Sequence, residues 1–248
     1  MSPIKLLIVP LLILAQLGFA LAAPPAQKLN FKCVTVTGSI EAIANSDLKK
    51  SVVIKASCHN RSENYALRAT QKIDFYALGT DLKSADARPI ASVKIPQKSS
   101  QLLFVFVPIK QTKDSDPSFR VITLDDSTNK FPNGTVQFIN LTSDKLFLIV
   151  GQEGKTKKIT ANPTQPVAYK MAPDFKGNLP IKAAVKNKKQ LELIFNSRLF
   201  PNKKCRELCF IWPRQDVKRG NKLRTTALRD KAMPQDMQAS PKQKPASR

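Results

Sequence analysis

The chain has 248 residues, 41 Lys and Arg against 18 Asp and Glu, a formal net charge of +23, and a single histidine. A field of that size favours anionic partners such as nucleic acid, lipopolysaccharide, acidic polysaccharide or anionic lipid. One histidine removes most zinc sites and leaves any Ser-His-Asp hydrolase dependent on His59 alone.

At the N-terminus, Lys5 precedes an apolar stretch from Leu6 to Ala22, and Ala20-Leu21-Ala22 sets small residues at both positions that signal peptidase reads. That order predicts a secretory signal peptide over residues 1–22, cleaved after Ala22. Pro10 and Gln16 interrupt the run, which falls short of the ~20 apolar residues that span a bilayer. No later stretch is long and apolar enough to span, so the expectation is export to the periplasm or beyond, with no transmembrane segment after cleavage.

From there the chain reads as strands. Leu29, Phe31 and Cys33 share one phase of a first strand. Ser39 to Lys50, with Ser39 as cap and Glu41 and Ala42 early, predicts one short helix. Val52–Cys58, Gln71–Leu78, Ile90–Ile95, Gln101–Ile109 and Phe119–Leu124 are short, rich in Val, Ile, Phe and Thr, and bounded by turn residues. Leu102 to Val107 is apolar throughout, the pattern of a strand covered on both faces.

Pro132-Asn133-Gly134 predicts a turn, because Pro presets φ while Asn and Gly accept φ above zero. Thr135–Leu141, Leu146–Val150 and Lys155–Thr160 then read as a three-stranded antiparallel meander. Val167–Met171, Leu179–Lys186, Gln190–Phe195 and Glu207–Trp212 continue the series, with Asn187-Lys188-Lys189 as a tight hairpin. Many short strands with regular turns predict an all-β fold, an immunoglobulin-like antiparallel β-sandwich over residues 23–213. The alternative is two sub-domains divided near Asp114–Pro117.

Composition shifts after Pro213. Residues 214–248 hold ten basic residues against Asp216, Asp230 and Asp236, and the end is rich in Pro, Gln, Ser and Lys. Such a tail buries too little apolar surface to offset its ordering entropy. The expectation is one edge strand at 223–228 and disorder after 230.

Residues with chemistry are few. Export permits disulfides among Cys33, Cys58, Cys205 and Cys209. Cys33 and Cys58 share apolar phases, so a bridge between them is geometrically plausible; Cys205 and Cys209 pair only if the chain turns between them, since four extended residues span roughly 13 Å. Asp125-Asp126 is the only adjacent acid pair, followed by Ser127, Thr128 and Asn129; capping of a turn fits it better than Ca²⁺ binding, for the EF-hand spacing is absent. Asp114 and Asp116 form the other acid cluster. No Gly-rich phosphate loop, dinucleotide fingerprint or Cys-x-x-Cys pair is present, so no catalytic residue, metal ligand or cofactor is assigned. Asn60, Asn133 and Asn140 head glycosylation sequons. Trp212 follows the apolar phase of Leu208 and Phe210, which predicts core packing.

The lysines occur in pairs. Lys157-Lys158, Lys188-Lys189 and Lys203-Lys204 are the candidate contacts for an anionic partner, and their lack of interleaved aromatics argues against a dedicated nucleic-acid module.

The segments LLFVFVP, VITLDDS, FPNGTVQFINLT and KLFLIVG, between Leu102 and Gly151, resemble a loose group of exported bacterial β-rich proteins, and CRELCFIW and TTALRD fit that group's last strands. The resemblance covers about half the chain, rests on structural turns and implies no activity. Together these readings predict an exported, non-enzymatic binding or structural protein of the bacterial envelope that contacts anionic surfaces or a protein partner through an exposed strand edge. The alternative is a secreted hydrolase using His59 or Asp125 and Asp126.

Overall fold

The structure, a computed structural model, describes residues 26–69, 71–96, 99, 101–113, 116–188, 190–214 and 222–230. The expected signal peptide, Asp114, Lys189 and the tail after 230 lie outside the described residues. Among the described residues every regular element is a strand, and no helix is long and apolar enough to cross a membrane.

Sixteen strands form four four-stranded sheets. The first eight are β1 (Gln27–Thr35), β2 (Ser39–Ser46), β3 (Ser51–Ser57), β4 (Tyr65–Ala69), β5 (Lys72–Ala77), β6 (Ala91–Lys94), β7 (Gln101–Pro108) and β8 (Phe119–Asp125). They make two sheets, β4-β1-β7-β8 and β3-β2-β5-β6. The second eight are β9 (Thr135–Asn140), β10 (Leu146–Val150), β11 (Lys157–Ala161), β12 (Pro166–Lys170), β13 (Leu179–Asn187), β14 (Gln190–Leu199), β15 (Arg206–Pro213) and β16 (Leu223–Asp230). Their sheets are β12-β9-β15-β16 and β11-β10-β13-β14, the same order as the first pair with every number raised by eight.

The repeat extends to register. Asn30 faces Gln101 across the parallel β1–β7 pair, and Val136 faces Glu207 across the parallel β9–β15 pair, so both pairings join residues 71 apart. The antiparallel expectation is corrected for these two sheets, which the parallel pairs make mixed; the other two are antiparallel throughout. The change from one sandwich to the next falls at residues 126–134, between β8 and β9, whereas 116–117 sit in the β7–β8 connection.

Three apolar layers hold the four sheets together. Within the first sandwich Phe31, Phe104, Phe75 and Phe106 form a run of tilted and edge-on rings with centroids 5.1, 5.8 and 4.9 Å apart. These are the offset geometries that aromatic quadrupoles favour. Within the second, Phe138, Leu148, Ile181, Phe195 and Cys209 are buried together. The third layer lies between the sandwiches, where the β4-β1-β7-β8 sheet backs onto β12-β9-β15-β16. A step of 105 residues carries Val34 onto Ile139, Leu103 onto Leu208 and Val105 onto Phe210 (139 − 34 = 105), and all six sit in this layer. Each sheet of the middle pair is therefore buried on both faces. That explains the unbroken burial of β9 and of Gln101–Val107 in β7.

One end of the middle layer is polar. Asp126 follows β8, Asp230 ends β16, Arg206 begins β15, and Arg61 comes from the β3–β4 loop. Arg206 Nη2 donates to Asp126 Oδ2 and to Asp230 Oδ2, both at 3.0 Å, and its Nη1 donates to the Asp126 carbonyl at 2.8 Å. Arg61 Nη1 pairs with Asp126 Oδ1 and lies 3.5 Å from Asp230 Oδ2. Both guanidinium groups lie over the buried ring of Phe131, 5.4 and 5.2 Å from its centroid.

Three further expectations are corrected. Residues 39–46 form strand β2 in place of the short helix: Ala42, Ala44 and Ser46 are buried on alternate positions, and pairing with β3 and β5 on both sides overrides the helix propensity of alanine. The expected meander is broken, because β9 joins the middle sheet while β10 and β11 pair in the outer one; Thr142–Lys145 crosses between sheets. The cysteines are unpaired. Cys33 and Cys209 are buried in the two sandwich cores, while Cys58 and Cys205 are half-buried. Cys209 lies within extended β15, so Cys205 ahead of it does not fold back; Cys33 lies in β1 and Cys58 at the end of β3 in the facing sheet, both as free thiols.

Removing one partner from a buried ion pair strands a charge, at a cost of roughly 3–5 kcal/mol. Asp126 and both arginines have side chains no more than 8% exposed. Asp126→Ala is expected to lower the unfolding free energy by about that amount, read from urea titration. Lys55→Ala, at the exposed Lys55–Glu41 pair, leaves the midpoint essentially unchanged.

Candidate functional site

The acidic residues act on the fold. Asp125 accepts from the Ser127 amide and from the Ser99 hydroxyl, both at 3.0 Å, and so caps the turn after β8. Asp126 is neutralised by Arg61 and Arg206. Asp116 accepts from the Thr112 hydroxyl at 2.5 Å and from the Thr112 and Lys113 amides at 3.0 Å, tying the β7–β8 connection. His59 is exposed in the loop after β3, its backbone amide donating to the Ser57 hydroxyl at 3.1 Å. Burial pushes the Cys33 and Cys209 thiols far above their ordinary range, which keeps them protonated. Among the described residues no cluster of three or more His, Cys, Asp or Glu is placed to hold a metal.

Of the three sequons, Asn140 is fully buried. Its amide nitrogen donates to the carbonyls of Asp144 (2.7 Å) and Ala161 (2.9 Å), while its oxygen accepts from the Thr142 amide and hydroxyl. The side chain is consumed in anchoring the β9–β10 crossing. Asn60 and Asn133 are exposed.

The paired lysines are placed by the second sandwich. Lys157 and Lys158 occupy edge strand β11, where alternation sends them to opposite sides. Lys157 Nζ lies 5.9 Å from the centroid of Tyr169 on β12. Here the open side between the two sheets forms a groove of about 500 Å³, lined by Lys155, Lys157, Tyr169, Lys170 and Met171. Lys203 Nζ donates to the carbonyl of Pro173 at the end of that groove. Lys157 and Lys203, far apart in sequence, thus border one cationic groove with a tyrosine face in it. Lys155 is there too, paired with Asp174 at 2.6 Å. The groove offers its ammonium groups to an anionic partner, while the largely buried Tyr169 ring lies against the Lys157 ammonium.

The remaining lysines are elsewhere. Lys158 lies on the outer face of the β11-β10-β13-β14 sheet, Lys188 at the tip of the β13–β14 hairpin with φ of 54°, and Lys204 in the turn before β15. The β10–β11 turn depends on Gly151, where a Cβ would stand 2.5 Å from the Lys155 carbonyl oxygen at φ of +128°.

Sequence reasoning singled out neither Arg61 nor Arg206. It also passed over the outward-facing residues of the same outer sheet, Phe147, Ile149, Leu191 and Leu193. A β-bulge is responsible for the last two. Leu191, Leu193 and Phe195 alternate as one face, but the register slips between Ala183 and Ala184 so that Ile194 and Phe195 both point inward. Leu191 and Leu193 then face solvent, 62% and 58% exposed. No protein-family model matches the chain, and no curated protein matches it.

Burial raises the Asp230 carboxyl, but the hydrogen bond from Arg206 and the charges of Arg61 and Arg206 outweigh it, and the group sits below its ordinary range. A depressed folded-state value stabilises the fold above the unfolded pKa of about 3.9 and is lost as pH falls through the lower folded value. Unfolding free energy is therefore expected to hold near neutrality and to fall as the pH drops below about 4. In Asp230→Asn that acid slope is shallower, as measured by chemical denaturation at a series of pH values. Gly151→Ala is expected to destabilise by more than about 1 kcal/mol, read from its melting curve, because a left-handed backbone and a backbone contact both oppose the methyl group.

Proposed function

We propose that the chain is an exported, non-enzymatic binding or structural protein of the bacterial cell envelope, whose basic surface contacts an anionic partner. The observation that carries the reading is the charge of +23 together with the groove lined by Lys157 and Lys170, with Lys203 at its Pro173 end. Many cations in one region raise the local concentration of an anionic ligand and steer its approach. The leader order at residues 1–22 supports export, and the resemblance of the segments between Leu102 and Gly151 supports a bacterial source. The immunoglobulin-like reading of each sandwich stands within this proposal as a likeness of architecture, supported by paired sheets with chain crossings between them. The order β4-β1-β7-β8 against β3-β2-β5-β6 departs from the immunoglobulin arrangement.

Retention of the mature chain on immobilised lipopolysaccharide, acidic polysaccharide and DNA, titrated with salt, tests the reading. Binding to at least one of them is expected to weaken steeply between about 0.05 and 0.5 M salt, as counterion release and screening require. Lys157→Gln with Lys203→Gln is expected to reduce retention several-fold. Binding that ignores salt, or none to any polyanion, would refute the electrostatic reading.

A further inference from the structure

The two sandwiches repeat one another in strand order but not in what they show to solvent. On the outer face of β3-β2-β5-β6, two of the three lysines among the described residues are paired with acids, Lys94 being the exception. Lys55 pairs with Glu41 at 2.8 Å, Lys72 with Asp74 at 2.8 Å, and Ser92 donates to Asp74 at 2.6 Å. The corresponding outer face of β11-β10-β13-β14 has no such arrangement. Its outward positions carry Lys158, Lys182, Lys186 and Arg198, and no acidic residue. None of these four makes an ion pair among the described residues.

Apolar side chains lie among those cations. Phe147 and Leu193 flank Ala184 in one row across β10, β13 and β14. Ile149 lies between Lys158 and Lys182 in the next row, and Leu191 is opposite Lys186 on the other side. Ile149 is 40% exposed, and the bulge at Ile194 turns Leu191 and Leu193 out rather than in. The bulge buries Ile194 but leaves two leucines exposed that unbroken alternation would have turned inward. A face that is both apolar and cationic repels a second copy of itself, since the same lysines would meet across the interface. It complements a surface that presents anionic groups above hydrocarbon. Leucine and phenylalanine side chains enter the acyl boundary, lysine stems lie along the apolar surface, and their ammonium groups reach the phosphates.

We propose that this outer face is a peripheral membrane-docking surface and that its occupant is a bilayer of anionic phospholipid. The proposal rests on the anionic-partner reading above and names the face and the lipid class. The mature full-length chain is sedimented with vesicles of phosphatidylcholine alone and of phosphatidylcholine with phosphatidylglycerol, with soluble polyphosphate as a charge-only probe. Strong binding to the phosphatidylglycerol vesicles and weak binding to the neutral ones is expected. Leu191→Ser with Leu193→Ser is expected to reduce the vesicle partition coefficient at least about tenfold while polyphosphate binding holds. Ile43→Ser with Val53→Ser, on the first sandwich's outer face, leaves both unchanged. Circular dichroism and the urea midpoint of each variant report that the fold is kept. Undiminished vesicle binding by the leucine variant, or retention by polyphosphate with none by vesicles, overturns the membrane face and leaves the anionic-partner reading standing. Binding to neither probe overturns both.

Discussion

Asp126, Arg61 and Arg206 are buried where they meet the partly exposed Asp230, and that meeting ties the two sandwiches to one another. Ion pairing of this kind recovers desolvation cost only with good geometry. Here charges alternate in sign around the cluster, and Arg206 also donates to the Asp126 carbonyl. Three nitrogens, Arg61 Nε and Nη2 and Arg206 Nε, reach no protein acceptor. They belong to guanidinium groups lying over Phe131, whose ring face supplies part of what an oxygen would have given. The apolar layer beside the cluster, from Val34 and Leu103 to Phe210 and Leu228, is non-directional. The charges supply the directionality: a slide of one sheet past the other would leave them unmatched.

The repeat explains why two of these groups are equivalent. The Asp126 amide donates to the Gln101 carbonyl at the start of β7, while Asp230 pairs with Arg206 at the start of β15. The two aspartates therefore hold the same place in successive sandwiches, with glutamine opposite one and arginine opposite the other. Arg61 has no such counterpart, for it comes from a loop that is longer in the first sandwich than in the second. What the sandwiches share is turned inward, and what distinguishes them is turned outward. That is the expected pattern if packing constrained the inner faces while the outer face of the second sandwich took up cations and apolar residues.

Much of the strand content was legible because most strands have one wet face, and the alternation in Ala91–Lys94 or Leu179–Asn187 reports it directly. β7 was legible as a central strand for the opposite reason, an unbroken apolar run. Residues 39–46 were not, since Glu41, Ala42 and Ala44 are good helix formers locally and only partners on both sides make them a strand. Topology was hidden as well. A short, mostly polar connection after β9 looks like a hairpin whether it stays in one sheet or crosses to another. The repeat escaped notice because equivalent positions share bulk rather than identity, as Val34 with Ile139 or Val105 with Phe210. Of the candidate lysines, Lys157 and Lys203 converge on one groove through a fold that no pairwise spacing announces. The bulge that exposes Leu191 and Leu193 has no glycine or proline to mark it.

The parallel pairs have a consequence for the order in which the molecule assembles. Strand β1 has its neighbour β7 some 71 residues downstream, and β9 stands in the same relation to β15. Pairings so distant in sequence incur a large loop-closure entropy, and they slow folding. A chain emerging from its N-terminus cannot close the first unit until β7 has followed. Even then Leu103, Val105 and Ile122 remain wet until the second unit supplies their cover. For that interval a half-finished molecule carries an apolar sheet face wide enough to stick to its neighbours, so the time between the two closures sets how much of it aggregates before it matures.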